Sequence, residues 1–156
     1  MNKTLFEQIC SVENIFAAWA KFSEGKRSKA DVMAFELHLE DNLFSLRDSL
    51  LSGEYRHDPY KPFTIYDPKR RRIHKATVKD RVVHQAIVNV IELFFESRFI
   101  HDSYSCRVGK GTHAAVERLR TFLRQASRNN TRTVYALKCD VRKFFASVNH
   151  DTLLCL

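Results

Sequence analysis

The stretch Tyr135-Ala136-Leu137-Lys138-Cys139-Asp140-Val141-Arg142-Lys143-Phe144-Phe145-Ala146-Ser147-Val148 decides how the rest of the chain is read. Val134, Tyr135, Leu137 and Val141 favour an extended strand, and Thr133 can start it. The strand delivers one carboxylate, Asp140, where the apolar run gives out, and a pair of aromatics follows the turn. A carboxylate held at a strand end is a hard oxygen ligand suited to Mg²⁺. It is equally an ordinary residue for closing a strand and starting a turn. The preceding segments weigh on that choice.

Immediately upstream, Ser127-Arg128-Asn129-Asn130-Thr131-Arg132 reads as a polar loop. Before it, residues 113–126 have helical spacing, with Ala115 or Val116, Leu119, Phe122 and Leu123 inward and Thr112 as N-cap. Gly109-Lys110-Gly111 leads into that helix. A Gly-flanked lysine there suits a phosphate, although the Walker spacing is absent and the tripeptide is also a common turn. Residues 79–98 form another helix, with Val83, Ala86 or Ile87, Val90, Ile91, Phe94 and Phe95 on its apolar face. Asp80 suits the first turn electrostatically. Arg81 does not, and is recruited either by Asp80 or by an outside phosphate.

Residues 54–78 change character. Pro59, Pro62 and Pro68 exclude a long helix. Phe63–Tyr66 reads as a strand, Asp67–Arg70 as a turn and Arg71–Ala76 as a return strand. Alternation puts Lys69, Arg71 and Lys75 on one side of this basic hairpin and Arg70 and Arg72 on the other. Such a hairpin suits a phosphate chain or a triphosphate. Further upstream, residues 3–22 are helical, with Ser11 and Asn14 able to start a second helix. A polar turn at 23–28 precedes a long helix over about 29–51. Val32, Phe35, Leu39, Leu43, Leu46 and Leu50 give it a buried face, and Gly53 ends it.

The charge follows these segments. Residues 1–50 carry six Lys/Arg against eight Asp/Glu, whereas residues 55–84 carry nine against three. A basic block interleaved with Tyr55, Tyr60, Phe63 and Tyr66, in a chain of net charge +8, points to a nucleic-acid partner rather than a plain solvated face. No apolar run approaches the ~20 residues that span a bilayer, and the N-terminus lacks a signal-peptide apolar region. Cys10, Cys106, Cys139 and Cys155 are scattered without zinc spacing. A cytoplasmic protein with free thiols and no membrane partner is expected.

Four stretches together resemble the N-terminal half of a bacterial retroelement reverse transcriptase. They are Asp67-Pro68-Lys69-x-Arg71-x-Ile73, Asp80-Arg81-Val82-Val83-His84-Gln85, Asp102-Ser103-Tyr104-x-Cys106-Arg107-x-Gly109-Lys110-Gly111-Thr112-His113-Ala114-Ala115, and Leu137-Lys138-x-Asp140-Val141-x-Lys143-Phe144-Phe145. The third is most like the diversity-generating type, with group II intron and retron enzymes close. The resemblance implies an α+β fold of right-hand polymerase fingers plus the start of the palm, truncated after the first catalytic strand. It divides the chain into an N-terminal helical region (1–53), fingers (54–132) and the start of the palm (133–156).

By the same resemblance, Asp140 is the first catalytic aspartate. With the main-chain carbonyl of Val141 it helps hold two Mg²⁺ ions in the complete enzyme. Phe145 lies under the incoming sugar and excludes a 2′-hydroxyl, and Phe144 belongs to the core. Lys69 and Arg71 neutralise the incoming triphosphate. Arg81, Arg107 and Lys110 contact template or nucleotide. The implied partners are an RNA template, a DNA or RNA primer, dNTPs and an accessory protein of the retroelement. Asn149 stands where the family usually has Asp, at a helix cap that either residue serves. The sequence contains no Asp-Asp pair to supply the partner carboxylates. The chain by itself is therefore expected to be inactive, as a part of a longer enzyme or the product of a broken gene. The alternatives are a nucleic-acid-binding module without chemistry and a poorly folding remnant.

Overall fold

The computed structural model describes residues 3–155. Among them the chain is α+β and forms two compact units, Met1–Phe99 and Ile100–Leu156. The boundaries expected at 53/54 and 132/133 fall inside these units. Among the described residues no helix is long and apolar enough to cross a membrane.

The first unit contains α1 (Leu5–Ile9), α2 (Val12–Ser23), α3 (Ala30–Glu36), α4 (Leu39–Leu51), β1 (Lys61–Ile65), β2 (Arg71–Lys75) and α5 (Val78–Glu96). Side-chain caps set its helix starts. Thr4 and Glu7 form a reciprocal capping box on α1. The Ser11 hydroxyl accepts from the Asn14 N–H at 3.2 Å and opens α2, at the break that these residues suggest. Ile15, Ala18, Trp19 and Phe22 of α2 bury against Val78, Val82, Val83 and Ala86 of α5, with Val32, Leu43 and Leu46 completing the core. Each large side chain buried there contributes about 1.5–3 kcal/mol. The helices of 1–53 and α5 therefore share one core, which is why they form a single unit.

The helix expected over 29–51 is interrupted. His38 leaves helical geometry, at φ −125° and ψ 46°. The Asn42 side-chain amide donates to the Phe35 carbonyl at 2.9 Å, satisfying a group that the break frees. Leu37 is exposed, yet Val32, Phe35, Leu39, Leu43, Leu46 and Leu50 all still face the core. The apolar stepping survives because the break falls between two of its members. Gly53 ends α4 at φ +73°. Gly53→Ala should cost about 1 kcal/mol, because a Cβ disfavours that backbone region. A lowered urea midpoint with an unchanged slope would show this.

The second unit contains α6 (Thr112–Ala126), α7 (Phe144–Ser147) and α8 (His150–Leu154). The cap of α6 is Gly111 at φ +123°, not Thr112, because only glycine enters the helix readily from that conformation. Its expected inward residues Val116, Leu119 and Phe122 are exposed. The strand expected before Asp140 does not form: the only strands among the described residues are β1 and β2. Residues 133–140 are without regular structure, and Tyr135 and Leu137 are almost fully exposed. A strand needs a partner to satisfy its backbone groups, and strand propensity alone does not supply one. Phe144, expected in the core, is exposed too. Asn149 caps α8 as expected, accepting from the Thr152 N–H at 2.8 Å.

Candidate functional site

The hairpin pairs antiparallel with Lys61 opposite Lys75, Phe63 opposite Ile73 and Ile65 opposite Arg71. Every side chain of β1 is exposed. So are Lys69, Arg70, Arg71 and Arg72, and none of these four makes an ion pair among the described residues. Strand alternation keeps Arg71 on the side of Lys75 and Arg72 on the other. The tip of the arm is thus a set of cations held out into water.

The root of the arm is built differently. Asp80 is fully buried in the first turn of α5. Its carboxylate accepts from the Thr77 hydroxyl at 2.6 Å, the Tyr55 hydroxyl at 2.7 Å and the Asp58 N–H at 3.3 Å, and His57 lies 3.8 Å away. Burial alone would raise the Asp80 pKa. The bonds from Thr77 and Tyr55, with His57 nearby, outweigh it and hold the carboxyl below the usual range. Burial first, and then Asp80, push the Tyr55 hydroxyl well above the tyrosine range.

A second carboxylate, Asp31 of α3, accepts from Lys75 of β2 and Arg81 of α5, both at 2.7 Å. Arg81 also donates to the Thr77 carbonyl and lies over the Phe22 ring at 4.8 Å. Its carboxylate partner within the chain is therefore Asp31 rather than Asp80. A cation at this helix start is stabilised by a carboxylate from α3, and Lys75, on the same carboxylate, fastens the arm to the helices. The sequence did not single out Asp31, and it offered Tyr55 only as one of the aromatics interleaved with the basic block. The Thr77-x-x-Asp80 spacing was the available signal, since it is a capping pattern.

In the second unit, Asp102 organises the loop before α6. It accepts from Arg118 Nε at 2.8 Å, the Tyr104 hydroxyl at 2.9 Å and His101 at 3.2 Å. Arg118 above all, opposed by burial and aided by Tyr104 and His101, pushes its carboxyl down to about 2. Arg107 donates to the Ile100 and Ser103 carbonyls at 3.0 and 3.1 Å. Lys110 donates to the His101 carbonyl and lies 5.2 Å from the Tyr104 ring centre. Both expected nucleic-acid contacts thus brace their own loop.

Asp140 is exposed and makes no hydrogen bond or ion pair among the described residues. Val141 and Phe145 beside it are exposed, and Phe145 meets Phe144 edge-on at 5.3 Å. Among the described residues no three His, Cys, Asp or Glu side chains converge as a metal site. The Asp140 carboxylate and the Val141 carbonyl are hard donors of the kind Mg²⁺ takes, but they do not complete its coordination.

No protein-family model matches the chain. It has partial, distant homology to an intron maturase. That relative is Nuclear intron maturase 1, mitochondrial, of Arabidopsis thaliana, 30% identical over 79 residues that make up 50% of this chain and 10% of the maturase. Protein YkfC of Escherichia coli (strain K12) is 30% identical over 113 residues, 70% of this chain and 29% of that protein. The chain spans less than a third of either relative's length.

Proposed function

We propose that this chain is the N-terminal portion of an RNA-directed DNA polymerase of the retroelement class, with right-hand fingers in its first part and the start of a palm at its end. The maturase likeness supports the reverse-transcriptase relationship. The Ser103-Tyr104-x-Cys106-Arg107 and Gly109–His113 stretches favour the diversity-generating type. The observation that carries a nucleic-acid or triphosphate role is the exposed set Lys69–Arg72, four cations without a carboxylate partner among the described residues. On this reading Lys69 and Arg71 neutralise a triphosphate, Phe145 lies under its sugar, and Asp140 with Val141 provides part of a two-Mg²⁺ site. Bound there, the ions supply nucleotidyl-transfer chemistry. An RNA template, a DNA or RNA primer, dNTPs and an accessory protein are the partners.

Asp140 stands alone, so the 156-residue chain is expected to extend no primer on an RNA template with Mg²⁺. In the native gene product, Asp140→Ala should reduce RNA-templated extension to background. Full extension by that variant would defeat the polymerase reading. The lone carboxylate equally favours binding without chemistry, and an inactive native product that still binds RNA would establish that second reading.

The arm has its own test. Lys69→Gln/Arg71→Gln should weaken RNA binding and flatten the dependence of log K on log salt by about 1.4, since each single-strand phosphate contact contributes about 0.7. An unchanged slope in a filter-binding titration would remove these residues from the interface.

A further inference from the structure

The open end of the hairpin borders a cleft of about 510 Å³ in the first unit, lined in part by Asp31, Phe35, Asp58, Lys61, Lys75 and Lys79. That volume suits a small molecule, for which sites run to roughly 300–1,000 Å³. Lys61 and Lys75 stand directly opposite each other in the strand register. Like charges so placed destabilise a strand pair unless an anion offsets them. Asp31 offsets Lys75 at 2.7 Å, and Asp58 offsets Lys79 at 3.1 Å. Lys61 makes no ion pair among the described residues, so the cleft keeps an excess of positive charge.

The two existing pairs do not close the cleft to anions. Their four side chains are 36–42% exposed, and ion pairs of that kind contribute about 0–1 kcal/mol. A phosphate oxygen can therefore take the place of a carboxylate at little cost. Arg81 also holds Asp31, which keeps that carboxylate neutralised when Lys75 turns away. Phe35 supplies an apolar wall, backed by Trp19 stacked on it at 5.2 Å between ring centres.

We propose that this cleft binds the phosphate of a nucleotide, with Lys61, Lys75 and Lys79 as its cations and Phe35 beside the base or sugar. The site differs from the arm's tip: Lys75 lies four strand steps from Arg71, roughly 13 Å. It stands whether or not the chain belongs to a polymerase.

Trp19 is the only tryptophan and reports on the cleft through Phe35. Titrating the full chain with ATP, and separately with a short oligouridylate, should change Trp19 fluorescence saturably. Saturation by ATP identifies a free nucleotide as sufficient; saturation by the oligonucleotide alone identifies a strand phosphate. In either case Lys61→Gln should weaken binding about tenfold, the loss expected for one charge-assisted contact. Lys79→Gln should do the same, and both variants should keep the wild-type melting curve. Lys21→Gln, at an exposed lysine outside the cleft lining, should retain the signal. The proposal is overturned if neither probe gives a saturable change. It is also overturned if the change ignores Lys61→Gln and Lys79→Gln, or if Lys21→Gln weakens it as much.

Discussion

Asp80→Ala should destabilise the first unit by about 3 kcal/mol or more, a large share of the stability of a small unit. The buried carboxylate takes three hydrogen bonds within 3.3 Å, from α5's own cap, from Tyr55 and from the Asp58 backbone. Alanine leaves the Tyr55 hydroxyl and the Asp58 N–H without that acceptor, and bonds to a charged group are worth about 1.5–3 kcal/mol. Asp80→Asn keeps the shape and one acceptor oxygen and should cost less. Urea unfolding followed by circular dichroism gives the ranking, and equal midpoints for wild type and Asp80→Ala would refute it.

The same carboxylate sets a pH dependence. Its folded pKa lies below its unfolded value, so its contribution is complete above about pH 5 and is lost as pH falls below about 4. Asp31, lowered chiefly by Lys75 against the effect of burial, loses its contribution in the same window. The wild-type midpoint should therefore be flat near neutrality and fall in acid. Asp80→Ala should show a shallower fall, with the part due to Asp31 remaining.

Trp19→Ala should cost about 3–5 kcal/mol. Trp19 is 3% exposed, stacks on Phe35 and tilts against Phe22 at 5.8 Å. It stands among α2, α3 and α5 residues that cannot all close over the gap, because Phe22 also carries Arg81. The thermal midpoint should drop by more than 10 °C, on the usual scale of 4–8 °C per kcal/mol for a unit of this size. A drop of only a few degrees would mean that Phe22 and Phe35 collapse into the space.

Much of the first unit is legible in the residues because its determinants are local. Ser11 caps, Gly53 takes a positive φ, three prolines bar a helix, and alternation with a turn makes the hairpin. The break at His38 is hidden, because the leucine stepping runs straight through it. The anchor of Arg81 is hidden for a different reason: Asp31 lies 50 residues away and nothing local pairs them. Around Asp140 the opposite happens. Val134, Tyr135 and Leu137 carry strand propensity, but a ladder requires a second chain segment beside them. Arg107 and Lys110 look like phosphate contacts from their residue types, whereas nearby carbonyls already hold them.

The bare tip of the arm has a kinetic consequence. Lys69, Arg70, Arg71 and Arg72 present their charge without an ion pair among the described residues, so the field at the tip extends about a Debye length into solvent, roughly 8 Å at physiological salt. A polyanion is drawn toward it before any surfaces touch, and steering of this sort acts on the rate of encounter. The capture radius belongs to the tip, while residence depends on whatever contacts form afterwards. Salt should thus slow arrival more than it hastens departure.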